Sequence, residues 1–439
     1  MGIVIRGGRL IDPANGIDAI NDLFIAEQHV VGIRHAPDGF QPEREINAKG
    51  LIVCPGFTDL CARLREPGQE HKATIASETY AAASAGITTL VCPPDTDPVI
   101  DETAVVELIR RRAKAAGFAR VLTLGALTRG LLGEHLAEMA ALKEAGCVAV
   151  SNASKPITNT LVLRRGMEYA ATYDLTVFLT PADAWLSAGG SAHGGIVAAR
   201  LGLPGIPVAA ETTIVARDLA LIEETRVSAH FCRLSSARAV EMVAQAQQRG
   251  LPVSADVSAH HLHLTEIDLG RFNSLVHVLP PLRSLLDRDG LRAGLASGVI
   301  AAICSDHQPH EADAKQLPFS DTEPGISGLE TLLGLSLRLV EEGVVPLTTA
   351  IERLTVGPSH ILGLKSGHLG VGATADICIF NPHHAWSLEP ETMTSRGHNS
   401  PFLGQEFNGH VTHTLLAGRL VYEASNKSSL CGTACCDLQ

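Results

Sequence analysis

This chain of 439 residues is poor in aromatic side chains, basic charge, long apolar runs and paired cysteines, and each scarcity excludes something. Aromatics make up 4% and charged residues 19%, so the 45% of hydrophobic residues must build a core from small and branched aliphatics. Such a balance suits a parallel α/β protein with tight helix–strand packing. The net charge of −12, with no basic cluster, argues against a general nucleic-acid surface. No apolar run reaches bilayer length. The opening Met1-Gly2-Ile3-Val4-Ile5-Arg6 reads as a strand and not a signal peptide. Ten cysteines without a C-x-x-C pair fit reduced thiols, and a cytoplasmic location is expected. Cys431, Cys435 and Cys436 cluster in a polar tail; chance thiols at an unstructured end is the favoured reading over a metal or redox group.

What is present is a change of rhythm. Residues 1–54 hold short β-rich pieces, Ile3-Val4-Ile5, Asp22–Ala26 and Val30–Ile33, with turn chemistry at Asp12-Pro13-Ala14-Asn15-Gly16. From residue 56 strands alternate with amphipathic helices. The strand candidates are Phe57–Leu60, Ile87–Cys92, Val121–Leu127, Cys147–Ser151, Leu175–Thr180, Val227–Phe231, Pro252–Val257 and Val299–Ser305. Helical stretches such as Glu102–Gly117, Leu136–Ala145, Thr160–Thr172 and Ser236–Arg249 lie between them, and Gly146, Gly250 and Gly298 supply stops. Eight βα units predict a (β/α)8 barrel over residues 55–365. An open doubly wound sheet ranks second, because no G-x-G-x-x-G loop follows the first strand. After residue 365 the pattern is β-like again: Ile377–Phe380, then Val411–Leu416 and Leu420–Tyr422. Residues 1–54 plus 366–425 are expected to form one composite β-sandwich, and 426–439 a disordered tail.

Barrel chemistry sits at the C-terminal strand ends. The first end carries Asp59-Leu60-Cys61-Ala62-Arg63-Leu64-Arg65-Glu66-Pro67-Gly68. Further along come Gly202-Leu203-Pro204-Gly205-Ile206-Pro207 with Glu211, then His260-His261-Leu262-His263, Pro280-Pro281-Leu282-Arg283, Ser305-Asp306-His307-Gln308-Pro309-His310 and Pro324–Thr331. This ordered series resembles the class I dihydroorotases of the amidohydrolase superfamily, and especially their non-catalytic relatives, from the N-terminus to about residue 423. The first segment matches D-x-H-x-H-x-R-E-P-G, with Cys61 and Arg63 in place of the two histidines.

The resemblance implies one or two zinc ions, which activate a water for ring opening of dihydroorotate or its reverse. It also implies where ligands belong, and most are missing here. The segment after strand four is Ser151-Asn152-Ala153-Ser154, without a carboxylate. That after strand five is Thr180-Pro181-Ala182-Asp183, without a histidine, and on strand six Arg233 ends His230-Phe231-Cys232-Arg233 where a second histidine belongs. Asp306, the family's general acid/base position, survives. A guanidinium has no free lone pair and does not deprotonate, so Arg63 and Arg233 would repel a dication. They are expected instead to pair with Asp306 and Asp183. No metal is therefore expected, zinc entering only if the site has been rebuilt.

By the same resemblance Arg65, His310 and Asp95 mark vestigial substrate positions. Asp95 stands for an asparagine, and its charge would repel carbamoyl-aspartate; Leu279 replaces another asparagine and offers no side-chain hydrogen bond. Arg65 either grips an anion or pairs with Glu66. His230, His260, His261, His307 and His310 are read as ancestral residues bonded to backbone in preference to a new metal site with Cys61 or Cys232. Arg110-Arg111-Arg112 reads as a solvated helix face. The non-catalytic relatives imply a scaffold function in pyrimidine synthesis: a hetro-oligomer with the catalytic chain of aspartate carbamoyltransferase in equal numbers, with a homodimer as the state without that partner, and no nucleic acid or membrane. The competing expectations are an active cyclic amidohydrolase with an altered site, and a protein that binds an anionic metabolite through Arg65 and His310.

Overall fold

The computed structural model describes residues 2–424. The tail expected at 426–439, with its three cysteines, lies outside the described residues. Eight short parallel strands follow one another round a barrel. They are β1 (Phe57–Asp59), β2 (Ile87–Cys92), β3 (Arg120–Ala126), β4 (Ala149–Ser151), β5 (Val177–Leu179), β6 (Ala229–Phe231), β7 (Val253–Ser258) and β8 (Ala302–Cys304). Each pairs in parallel with the next. Ends β1 and β8 are joined just beyond their last residues, where Ala62 bridges His307 and Arg63 N–H donates to the His307 carbonyl at 2.9 Å. That link rules out the open doubly wound sheet and leaves a nearly closed (β/α)8 barrel.

The strands read as expected because both faces are covered. Every residue of Ile87–Cys92 is buried. The lumen is filled by Leu60, Val91, Leu124, Phe178 and the small residues Cys61, Ala149, Cys232, Ala302 and Cys304. Helices are cut by local chemistry: Asn159 caps Thr160–Thr172 by accepting from Leu161 and Val162 N–H, while Gly117, Gly146 and Gly298 end helices in the left-handed region.

The second unit draws on both termini. Its strands form one hydrogen-bonded path: Arg419–Glu423, Glu406–Leu416, Ile377–Ser387, Ile52–Pro55, Gly2–Asp12, Ile17–Ala26 and His29–Ile33, with Arg44–Asn47 paired to the strand Gly2–Asp12. Ile377 pairs with Pro55, stitching the chain ends together ahead of the barrel. Ile3, Ile5, Leu23, Ile25, Leu369, Ile377 and Ile379 give it a core of its own. Where it meets the barrel, Gly86 (φ +80°) abuts the Cys378 sulfur so closely that any Cβ would collide with it.

Candidate functional site

The barrel mouth is shaped by backbone that side chains rarely adopt. Arg65 (φ 63°), Ala153 (φ 49°), Arg233 (φ 52°) and Asp306 (φ 45°) all lie just after strands β1, β4, β6 and β8 in the left-handed region. Each costs roughly 1–3 kcal/mol and persists only where the surroundings demand it. These turns bring residues from four strand ends to one place.

There Arg63 and Arg233 converge on Asp306. Arg63 Nη1 lies 3.4 Å and Arg233 Nε 3.5 Å from the same Asp306 Oδ1. The Arg233 contact is a charge pair without a hydrogen bond, since its buried Nε has no hydrogen-bonded partner. At an effective dielectric near 20, each contact is worth about 5 kcal/mol of gross attraction before desolvation is subtracted. Cys61 completes the knot: its S–H donates to Asp306 Oδ1 at 3.4 Å and its sulfur accepts from Arg233 Nη1 at 2.9 Å. Burial pushes the Cys61 thiol up, and the opposing pull of Arg233 does not reverse this, so it remains a thiol. Ser154 Oγ accepts from both Arg63 Nη2 (3.3 Å) and Arg233 Nη2 (3.4 Å), and Thr180 Oγ1 accepts from Arg233 Nη2 at 3.3 Å.

The second carboxylate is not the expected one. Asp183 accepts the backbone N–H groups of Trp185 and Leu186 and so caps its own turn. Its place is taken by Asp95, whose Oδ2 receives Arg63 Nε at 2.9 Å. Burial pushes Asp95 up, but the Arg63 charge and hydrogen bond outweigh it and hold the carboxyl below its ordinary value. Asp95 is thus a partner of the arginine cluster, not a free group facing a substrate. Asn152 turns away from the mouth and bonds to Thr128 Oγ1 and to the carbonyls of Leu131 and Lys155.

Arg65 and His310 are committed to each other. Arg65 donates from Nε to the Pro309 carbonyl (2.9 Å), from Nη1 to Gln69 (3.2 Å) and from Nη2 to His310 Nε2 (3.0 Å). His310 Nε2 also lies 3.1 Å from the Pro324 carbonyl, while Nδ1 lies 3.3 Å from Lys72 Nζ and 3.2 Å from Glu323 Oε2. Burial, then the Arg65 and Lys72 charges, push His310 down to about 2, so the ring is neutral. Glu66 does not pair with Arg65; it bonds to Arg112 and to the Ile75 N–H. Arg110 and Arg111 do lie on a solvated face, at 65% and 71% exposure.

The other histidines are held, but mainly by side chains and not by backbone. His230 bonds to Ser254 and Asp256, His260 and His261 to Ser258, and His307 to Glu78. Sequence reading gave no role to Glu78 or Asp256, and none to Asp59 beyond its place in the first motif; Asp59 and Asp256 lie in strands β1 and β7, and Glu78 in the helix Ile75–Ser84. Asp59, bound to Ser305 at the β1–β8 seam, is pushed up to about 7 by burial.

The donor set at the mouth does not suit zinc. Of the positions the family motif assigns to ligands, only Asp306 offers a carboxylate and Cys61 a protonated thiol, and two guanidinium groups occupy the space between. A catalytic zinc takes about three protein ligands, and none of them can be a cation. His230, Cys232 and Asp256 form the one cluster of three metal-capable groups among the described residues. Both ring nitrogens of His230 are already bonded, and Asp256 also accepts the Arg233 N–H. Beside the cluster lies a cleft of about 270 Å³ walled by Pro181, Ala182, Ile206, Leu279 and Pro280, with Arg233 at its edge. Leu279 gives this cleft an apolar wall and no hydrogen bond.

Comparison with known proteins places this arrangement in a lineage. A sequence model described as Dihydro-orotase-like matches residues 50–239, and one described as Amidohydrolase family matches residues 324–422. The chain is 50% identical over 423 residues to a dihydroorotase-like protein of Pseudomonas aeruginosa, covering 96% of this chain and 100% of the other. It is 41% identical over 423 residues to a dihydroorotase of Anaeromyxobacter sp., covering 96% and 98%. Among solved structures it resembles an L-hydantoinase from Arthrobacter aurescens, with a TM-score of 0.85 at 22% identity and 96% of each chain covered. The chain belongs to the dihydroorotase-like family of amidohydrolases.

Proposed function

We propose that this chain is a dihydroorotase homologue without metal-dependent hydrolysis, and that it serves in the cytoplasm as a structural subunit for the catalytic chain of aspartate carbamoyltransferase in pyrimidine synthesis. The observation that carries the first half is the convergence of Arg63 and Arg233 on Asp306 and Cys61. Two cations stand where a catalytic cation would be held, each with built partners, which argues for replacement of the metal and not for loss by decay. The second half is supported by what remains intact. A full barrel and a complete β-unit with its own core persist although the chemistry-bearing ligands are gone. Rigidity and surface are then what the fold supplies, and a net charge of −12 favours a protein partner over nucleic acid. No helix among the described residues is long and apolar enough to cross a membrane.

The competing reading is an active cyclic amidohydrolase, favoured by the name of the 41% identical relative. Binding of an anionic metabolite by Arg65 and His310 has less support, because their polar groups already bond to each other, Gln69, Pro309 and Glu323. Elemental analysis, a dihydroorotate assay and co-expression separate these readings. The proposal expects no zinc that resists mild chelation, no turnover with added zinc, and co-migration with the transcarbamoylase on sizing. Stoichiometric chelation-resistant zinc with turnover on the order of 1 per second would establish the competing enzyme. Independent migration at micromolar concentration, with the transcarbamoylase fully active alone, would remove the scaffold.

A further inference from the structure

Two histidines of the β-unit lie side by side, far along the chain from every residue of the barrel mouth. His384 falls in the stretch between Asn381 and Ala385 where the register of strand Ile377–Ser387 shifts against its antiparallel neighbour Glu406–Leu416, which carries His410. Their ring centres are 5.0 Å apart and the rings are inclined at 47°. Neither ring nitrogen pair is engaged in a hydrogen bond among the described residues. Both rings border a cleft of about 220 Å³ that Trp386, Thr392, Thr394 and Tyr422 also line.

The spacing has a simple reading. A tetrahedral ion about 2.0–2.1 Å from each imidazole nitrogen lies about 3.2 Å from each ring centre, which puts two ligand rings about 5.2 Å apart. The observed 5.0 Å matches that separation. An unprotonated imidazole nitrogen offers the lone pair such an ion needs. We propose that His384 and His410 form a divalent transition-metal site on the β-unit, open toward the cleft and completed there by water or an incoming ligand. Imidazole pairs favour borderline ions such as Zn²⁺, Ni²⁺ and Cu²⁺ over Mg²⁺ or Ca²⁺, which prefer oxygen. With two protein ligands the site is weak and is stripped by mild chelation, so it is independent of the reading of the barrel mouth.

Trp386 provides the reporter, since its ring is 6.4 Å from that of His410. The chain has two tryptophans, so Trp185→Phe leaves Trp386 as the single emitter. In that background, full-length chelator-treated protein is titrated with CuCl2 by fluorescence and with NiCl2 by calorimetry. The expected result is saturable quenching and one equivalent of Ni²⁺ bound at roughly 1–50 μM. His384→Ala and His410→Ala should each weaken binding at least tenfold and abolish saturable quenching at these concentrations. Unchanged circular dichroism in the variants ties the loss to the ligands. Equal affinity in wild type and both variants, or no saturable binding below about 1 mM, would overturn the site.

Discussion

Removing the carboxylate at Asp306 tests the electrostatic core of the barrel mouth most directly. Asp306 is 1% exposed by side chain, Arg63 10% and Arg233 5%, so the charges are screened little by solvent. Asp306→Ala leaves Arg63 with Asp95 but leaves Arg233 with only neutral acceptors, Cys61, Ser154 and Thr180. Stranding one partner of a buried pair costs about 3–5 kcal/mol. Unfolding entropy near 2.1 cal/mol/K per residue gives about 0.9 kcal/mol/K for the described chain, so the melting midpoint should fall by roughly 3–6 °C. Asp306→Asn keeps the shape and should lose nearly as much, which separates charge from packing. The quadruple change Arg63→Met, Arg233→Met, Asp306→Leu, Asp95→Asn removes the whole charge cluster, including the carboxylate that Arg63 would otherwise leave unpaired, and should recover most of the loss, since apolar replacement of a buried ion cluster is often neutral or stabilising. Differential scanning calorimetry at low and high salt reads all three, and the effect should survive salt because the groups are buried. A midpoint for Asp306→Ala within 1 °C of wild type would refute the reasoning.

Two further outcomes follow from the same geometry. Arg63→His should restore no measurable dihydroorotate hydrolysis with added zinc, because Arg233 and Thr180 still occupy ligand positions and residues acting as a unit are not additive; turnover by this single variant would contradict the cluster reading. The pH dependence has a defined sign: burial pushes His260, His261 and His263 down to about 3, His277 to about 4 and His310 to about 2. The unfolded chain therefore binds more protons than the fold as pH drops below about 6.5, and each histidine removes about 1.4 kcal/mol of stability per pH unit down toward its folded value. Asp59, raised to about 7, and Asp218, raised to about 6, act oppositely and lose stability as pH rises from about 4 toward those values, as do Glu211 and Glu330, which burial also raises, but the two large shifts stand against five histidines. The melting midpoint should therefore fall on acidification from pH 6.5 to 4.5, and a midpoint that holds or rises across that window would show that the histidines are not buried neutral.

The barrel was legible in the chain because its signals are local and repetitive. Buried runs such as Ile87–Cys92 and capped helices such as Thr160–Thr172 carry their own periodicity and end signals. The missing ligands were legible for another reason: Cys61, Arg63, Thr180 and Arg233 stand at motif positions whose chemistry no fold can alter, since a guanidinium does not become a ligand. Which groups satisfy those cations was decided only by tertiary structure. Asp183 and Asp95 are both carboxylates just past a strand end, yet Asp183 spends its oxygen on its own turn while the loop after β2 carries Asp95 onto Arg63. Arg65 met His310, 245 residues away, and not its neighbour Glu66. Hydrogen bonds reach about 3 Å and are set by where loops run after the strands end, a property of the closed barrel that spacing along the chain does not encode.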